Sequence, residues 1–225
     1  MNYIENIYIC LAAPLLIVVL CLRGQGKRSI LFVLGGMTAC LLSSYISTFL
    51  AVVHGTDAMT ASIEISPMVE EFMKLFPIVF YILVFEPDRR ECPGLLLMIA
   101  SGFATFENVC YLVSNGADNI ISLVIRGFGT GAMHVVNGAL IGIGLMLLWD
   151  RLYIRIAGMF GLLSLAVIFH AVYNLLVSQA GLAAWIGYVI PLTATAGYLR
   201  FRSKQRFGPP PGFQQAEDTP PLNLP

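Results

Sequence analysis

The chain is a succession of apolar runs, each close in length to what a bilayer crossing demands, and this constrains its fold more than any other feature. The runs lie at about 4–22, 29–53, 65–85, 94–114, 120–149, 156–178 and 183–200. A helix needs about 20 apolar residues to cross the hydrocarbon core. Backbone in lipid must satisfy its own hydrogen bonds, so seven such runs predict an all-α, polytopic membrane helix bundle of about seven transmembrane helices. Composition agrees: 57% of residues are hydrophobic and 12% charged, against roughly 25% charged in soluble domains. A water-soluble enzyme is disfavoured. Basic and acidic residues number 13 each, so no electrostatic footprint for nucleic acid exists. Cys10, Cys21, Cys40, Cys92 and Cys110 show no CxxC spacing, and four of them lie in apolar runs as small hydrophobes.

Charge sets an expected orientation, because lysine and arginine of short loops stay cytoplasmic. Arg23, Lys27 and Arg28 follow the first run, Arg89 and Arg90 the third, Arg151 and Arg155 the fifth, and Arg200, Arg202, Lys204 and Arg206 the last. The loops around 54–64, 115–119 and 178–182 hold no lysine or arginine. The pattern predicts an N-terminus outside, a cytoplasmic C-terminus and a multi-pass protein of the cell membrane. The N-terminus lacks the basic stretch of a cleavable signal, so the first run is read as a retained helix. Residues 1–207 form one transmembrane domain, and the proline-rich 208–225 are expected to be a disordered cytoplasmic tail. The fifth run, punctuated by Gly127, Gly129 and Gly131, is expected to begin as an interfacial stretch and to span from about Phe128. Gly127, Gly131, Gly138 and Gly142, spaced in fours, are expected to allow close helix packing.

An ionisable side chain inside a span is costly and by default suggests function. Glu70, Glu71, Lys74, Glu107, His134 and His170 qualify, in the stretches PMVEEFMK, FATFENVCY, GAMHVVNG and FHAVYN. Helical spacing puts Lys74 beside both Glu70 and Glu71, Tyr111 beside Glu107, and Asn174 beside His170. At 1.5 Å per residue, Glu70 and Glu71 lie roughly 8 Å below the outer end of their span, Glu107 roughly 10 Å and His170 roughly 12 Å. His134 joins at roughly 9 Å if its span begins near Phe128. A shared layer in the outer half of the membrane follows. Each residue has a bland alternative: Glu71 with Lys74 as a helix-fastening ion pair, Glu107 with Tyr111 as a hydrogen-bonded carboxyl, a histidine bonded to a neighbouring helix. His54 and Arg126 are given structural or solvated roles. Vicinal carboxylates point about 100° apart, so one can pair with Lys74 while the other faces a cavity.

Such a cluster suits amide hydrolysis, which needs a base for water, donors for the oxyanion and an acid for the leaving amine. A glutamate can be the base, and His170 with Asn174 one turn away can offer paired donors. Two histidines and a carboxylate also make a zinc set, although there is no HExxH and ligands on separate helices leave spacing silent. No cofactor is favoured. If a metal is bound, Glu70, His134 and His170 are its ligands, with zinc as the ion.

EEFMK, FENVCY, His134 in a glycine-rich helix, and HAVYN, in that order over about 60–180, resemble the PrsW family of intramembrane proteases. These are relatives of the type II CAAX prenyl endopeptidases and of the non-catalytic Aph subunit of gamma-secretase. The resemblance implies that 1–207 is a protease domain that cuts single-span membrane proteins near the extracytoplasmic face, as the founding member cuts an anti-sigma factor at its first site. Carried across from the CAAX enzymes, Glu70 is the base and His134 its partner, His170 and Asn174 bind the oxyanion, and Glu71 and Lys74 support them. Glu107 has no counterpart there. Lysine follows the second glutamate after two residues, where the CAAX pattern has arginine after three, so prenyl substrates are not implied. The competing classes are a proton- or metal-coupled transporter and a non-catalytic scaffold; neither the internal repeat nor the paired broken helices usual in transporters is visible. The partners expected are the substrate and membrane lipids.

Overall fold

The computed structural model describes residues 4–116, 120–148 and 152–204, without the side chains of 201–204. The tail 208–225, Asn119, Arg151, Arg206 and the side chains of Arg202 and Lys204 lie outside the described residues. Seven long helices appear among those described: α1 (Ile4–Cys21), α2 (Gly24–His54), α4 (Ser66–Phe85), α5 (Cys92–Asn115), α6 (Ile120–Leu148), α7 (Leu152–Val177) and α8 (Leu182–Lys204). A single turn, α3 (Ala58–Thr60), precedes α4. The chain is a polytopic helical bundle of the membrane. Six of the long helices are long and apolar enough to cross a bilayer; α4 is not among them. Every 18-residue stretch of α4 contains Glu70, Glu71 and Lys74.

Two expectations are corrected. The loop expected over 54–64 is largely helical: His54 ends α2, and Ala58 begins a helix that runs without interruption into α4. Asp57 caps this start, accepting from the backbone of Met59 and Thr60, and the Thr60 N–H holds its carboxyl below the ordinary aspartate value. Residues Ala61–Ile65 widen into a π-helix whose last link runs from the Ser66 N–H to the Ala61 carbonyl. Pro67 explains the widening: it has no N–H, and its ring crowds the carbonyl four residues back. The second correction concerns α6, which is one unbroken helix from Ile120 and does not restart at Phe128. Its 29 residues span about 43 Å, more than the hydrocarbon core, so it tilts or protrudes.

His134 nevertheless meets its partners, because the helices are staggered at the ends expected to face outward, here the outer ends, and aligned at the opposite, inner ones. From Glu71 to the end of α4 at Phe85, and from His134 to the end of α6 at Leu148, is 14 positions each. From Glu107 back to Cys92, the start of α5, is 15. Three helices therefore carry the cluster about 21 Å above their inner ends.

The bundle closes on α5. Gly36 on α2 and Gly102 on α5 approach each other's backbones so closely that a Cβ on either would lie 2.0 Å from the carbonyl of Ile99 or of Val33. Gly138 and Gly142 likewise face α5, whereas Gly127 and Gly131 meet nothing within 4 Å, so half of the spaced glycines serve packing. Gly36→Ala and Gly102→Ala should each lower stability by about 1–3 kcal/mol through overpacking. Gly127→Ala should be neutral or stabilising by up to about 1 kcal/mol from helix propensity. Thermal unfolding in detergent compares the three; equal midpoints would refute the packing role.

Candidate active site

The polar cluster rests on an apolar floor. Seven positions toward the inner end from Glu71, His134, His170 and Glu107 stand Ile78, Ile141, Leu163 and Ala100, all buried. Two turns return a helix to nearly the same face, so each polar side chain is stacked above an apolar one. Ile78, Ile141 and Leu163 belong to one continuous core with Ile82, Leu96, Ile99 and Leu145. Toward the outer ends the same faces carry Thr130, Tyr173, Asn174, Tyr111 and Arg126. Among the described residues, the polar side chains on these faces continue from the cluster toward this end and not toward the apolar floor.

Glu71 and Lys74 form the centre, with side chains 1% and 3% exposed and 2.7 Å apart. Glu71 Oε1 also accepts from Asn137 Nδ2 at 3.0 Å and from His170 Nδ1 at 2.8 Å. Lys74 Nζ reaches His134 Nδ1 at 2.8 Å and sits 4.7 Å from the centre of the Phe103 ring. An ammonium can only donate, so His134 Nδ1 accepts and Nε2 carries the proton, which it gives to Glu107 Oε2 at 2.6 Å. Arg126 closes the chain 3.5 Å from Glu107 Oε1, with its guanidinium stacked on Tyr111. Four helices thus contribute to one network.

Glu70 stands apart from it. Its Oε2 is buried without a hydrogen-bond partner, and the nearest basic atom is His170 Nε2 at 3.7 Å. His170 donates through Nδ1 to Glu71, which leaves Nε2 with a lone pair turned toward Glu70. The vicinal glutamates divide as helical spacing allows: Glu71 pairs with Lys74, and Glu70 points away from that pair with a buried, unpartnered oxygen. The histidine beside Glu70 is however His170, not His134, because both His134 nitrogens are taken. Asn174 also differs. Its Nδ2 donates to the Ser62 carbonyl at 2.8 Å. In the π-helix that carbonyl would take the N–H of residue 67, which is proline, and Asn174 supplies the missing donor. A role toward an oxyanion requires the amide to leave Ser62.

Two participants escaped the sequence reading. Asn137 bridges Glu71 and the Ala166 carbonyl, joining α4, α6 and α7. It lies three residues after His134 on an apolar helix, so a search widened from ionisable to amide side chains would have found it. Arg126, read as structural or solvated, is partly buried on Glu107.

Glu70, His134 and His170 also bring one ligand atom each within 4.8 Å of one another. The residues fit a divalent metal. Glu70 offers an unpartnered buried oxygen, and His170 offers a nitrogen oriented by a carboxylate behind it, the usual outer support of a metal-binding histidine. His134 joins by releasing Lys74 or Glu107. Two histidines with one glutamate is a zinc donor set.

A family model described as PrsW family intramembrane metalloprotease matches residues 28–197. No curated protein and no solved structure matches the chain.

Proposed function

The chain belongs to the PrsW family of intramembrane metalloproteases, and from that premise we propose that it cuts a single-span membrane protein near the extracytoplasmic face. The intramembrane peptidase activity follows from the family; the side of the membrane and the substrate are our reading. Lysine and arginine alternate between loops in the sense that places the outer ends of α4 to α7 outside, and the polar side chains continue from the cluster toward those ends. An anti-sigma factor, the substrate of the founding member, is the candidate. The observation that carries the proposal is the meeting of Glu70, His134 and His170, from three helices, within 4.8 Å.

Those three side chains would hold the metal, and its chemistry is to polarise the scissile carbonyl and activate water near neutral pH. The rest falls to the chain. Glu71 keeps the His170 ring oriented with Nε2 toward Glu70. Lys74 and Asn137 hold Glu71 in place. Glu70 would hold the metal or serve as base to the reacting water. Glu107, the most exposed carboxylate of the cluster at 27%, accepts the His134 Nε2–H and would be the group to pass a proton to a leaving amine.

Metal analysis of the purified full chain, with cleavage of a reporter single-span substrate in proteoliposomes, tests this. About one zinc-type ion per chain is expected, absent in His170→Ala, with activity lost in a strong chelator and restored by zinc. Cleavage that persists after chelation, with no metal bound, would leave Glu70 acting directly on water.

A further inference from the structure

The inner ends of α2 and α4 enclose an open groove of about 500 Å³, lined by Lys27, Arg28, Leu31, Pro77, Phe80 and Phe85 among others. It lies on the far side of the apolar floor from the polar cluster. Its volume is that of a ligand site, its walls are almost wholly apolar, and its lining includes two cations and no acid. Arg28 is committed: it pairs with Glu91 at 2.7 Å and donates to Tyr81 Oη at 2.8 Å, which fixes the wall. Lys27, in the first turn of α2 and exposed, has no partner among the described residues. The segments at this end carry Arg23, Lys27, Arg28, Arg89 and Arg90 against Glu86, Asp88 and Glu91, five cations to three acids. Lys27 and Leu31 are one turn apart on one face, which sets an ammonium at the membrane boundary directly above an apolar trough.

We propose that this groove binds one anionic phospholipid, its phosphate on the Lys27 ammonium and an acyl chain along Leu31, Pro77, Phe80 and Phe85. Charge complementarity selects the occupant. An apolar helix of another protein has no use for the cation, and a zwitterionic lipid gains less from it. The charge pattern of the loops puts this end in the cytoplasmic leaflet, whose surface is negative. The site serves attachment and orientation of α2 against α4, and it does not depend on the peptidase reading.

Native mass spectrometry of the full chain in detergent, titrated with phosphatidylglycerol or phosphatidylcholine of matched acyl chains, tests the assignment. Phosphatidylglycerol should bind about fivefold more tightly, the factor given by one basic residue near a lipid surface. Lys27→Gln should erase that preference, weakening phosphatidylcholine less than phosphatidylglycerol; Lys27→Arg should keep it. Leu31→Trp, which fills the trough, should weaken both lipids. Lys27 is exposed, so its variants should unfold at the wild-type temperature. Equal affinity for the two lipids, a preference that survives Lys27→Gln, or displacement by inorganic phosphate alone would overturn the proposal.

Discussion

Replacing Glu70 by glutamine is expected to abolish cleavage and leave the protein folded. The substitution keeps shape and removes the charge. Glu70 is the member of the cluster whose loss breaks no ion pair in the network: its Oε2 has no hydrogen-bond partner, and His170 stands off at 3.7 Å. The charges agree. Glu70, Glu71 and Glu107 face Lys74 and Arg126, and the last two are taken by Glu71 and Glu107. Glu70 is therefore the surplus carboxylate, held in a low-dielectric place where an unpaired charge is expensive. A costly group without structural employment points to chemistry. Loss of a water-activating carboxylate removes about 10²–10⁴ in rate, enough to bring a reporter assay to background. Cleavage is read in proteoliposomes, and folding by circular dichroism and thermal unfolding of the same preparation. Retention of a tenth or more of wild-type turnover would remove Glu70 from the mechanism.

Lys74→Met should have the opposite profile, a large loss of stability. Lys74 is the cation that satisfies Glu71 and also donates to His134, and its side chain is only 3% exposed. Removing one partner of a buried pair leaves an uncompensated charge, at a cost of about 3–5 kcal/mol. Replacing both members by apolar or neutral groups is far less damaging, so Lys74→Met with Glu71→Gln should recover much of that stability and none of the activity. The double-mutant cycle isolates the coupling, which should reach about 2–3 kcal/mol for neighbours in one network. Denaturation in mixed detergent reads all three. A single variant that unfolds with the wild-type midpoint would show that Glu71 is held by His170 and Asn137 alone.

The two glutamates are adjacent in sequence and differ in fate because a helix turns them about 100° apart. That difference was legible in EEFMK, as were six ionisable members of the cluster, Arg126 excepted; the level of His134 was not, because α6 begins at Ile120 and not near Phe128. Which group each would touch was not. The sequence reading gave Glu70 to His134 through a resemblance, and the packing gives it to His170, because Lys74 and Glu107 occupy both His134 nitrogens. It paired Asn174 with an oxyanion, whereas the proline at 67 leaves a carbonyl that claims the amide. The helical start at Ala58 was hidden because Thr60, Ser62 and Glu64 look like loop and Pro67 like a first turn.

The number of long helices and their all-α character belong to the sequence alone. In lipid every peptide group must be bonded within its own segment, a requirement each run of residues meets by itself. The rotation of each helix about its axis and its sliding along its neighbour belong to the tertiary structure. These are set by contacts such as Gly36 against Ile99 and Gly102 against Val33, between residues more than sixty positions apart. A shift of one turn, about 5 Å, would leave every span intact and separate Glu70 from His170.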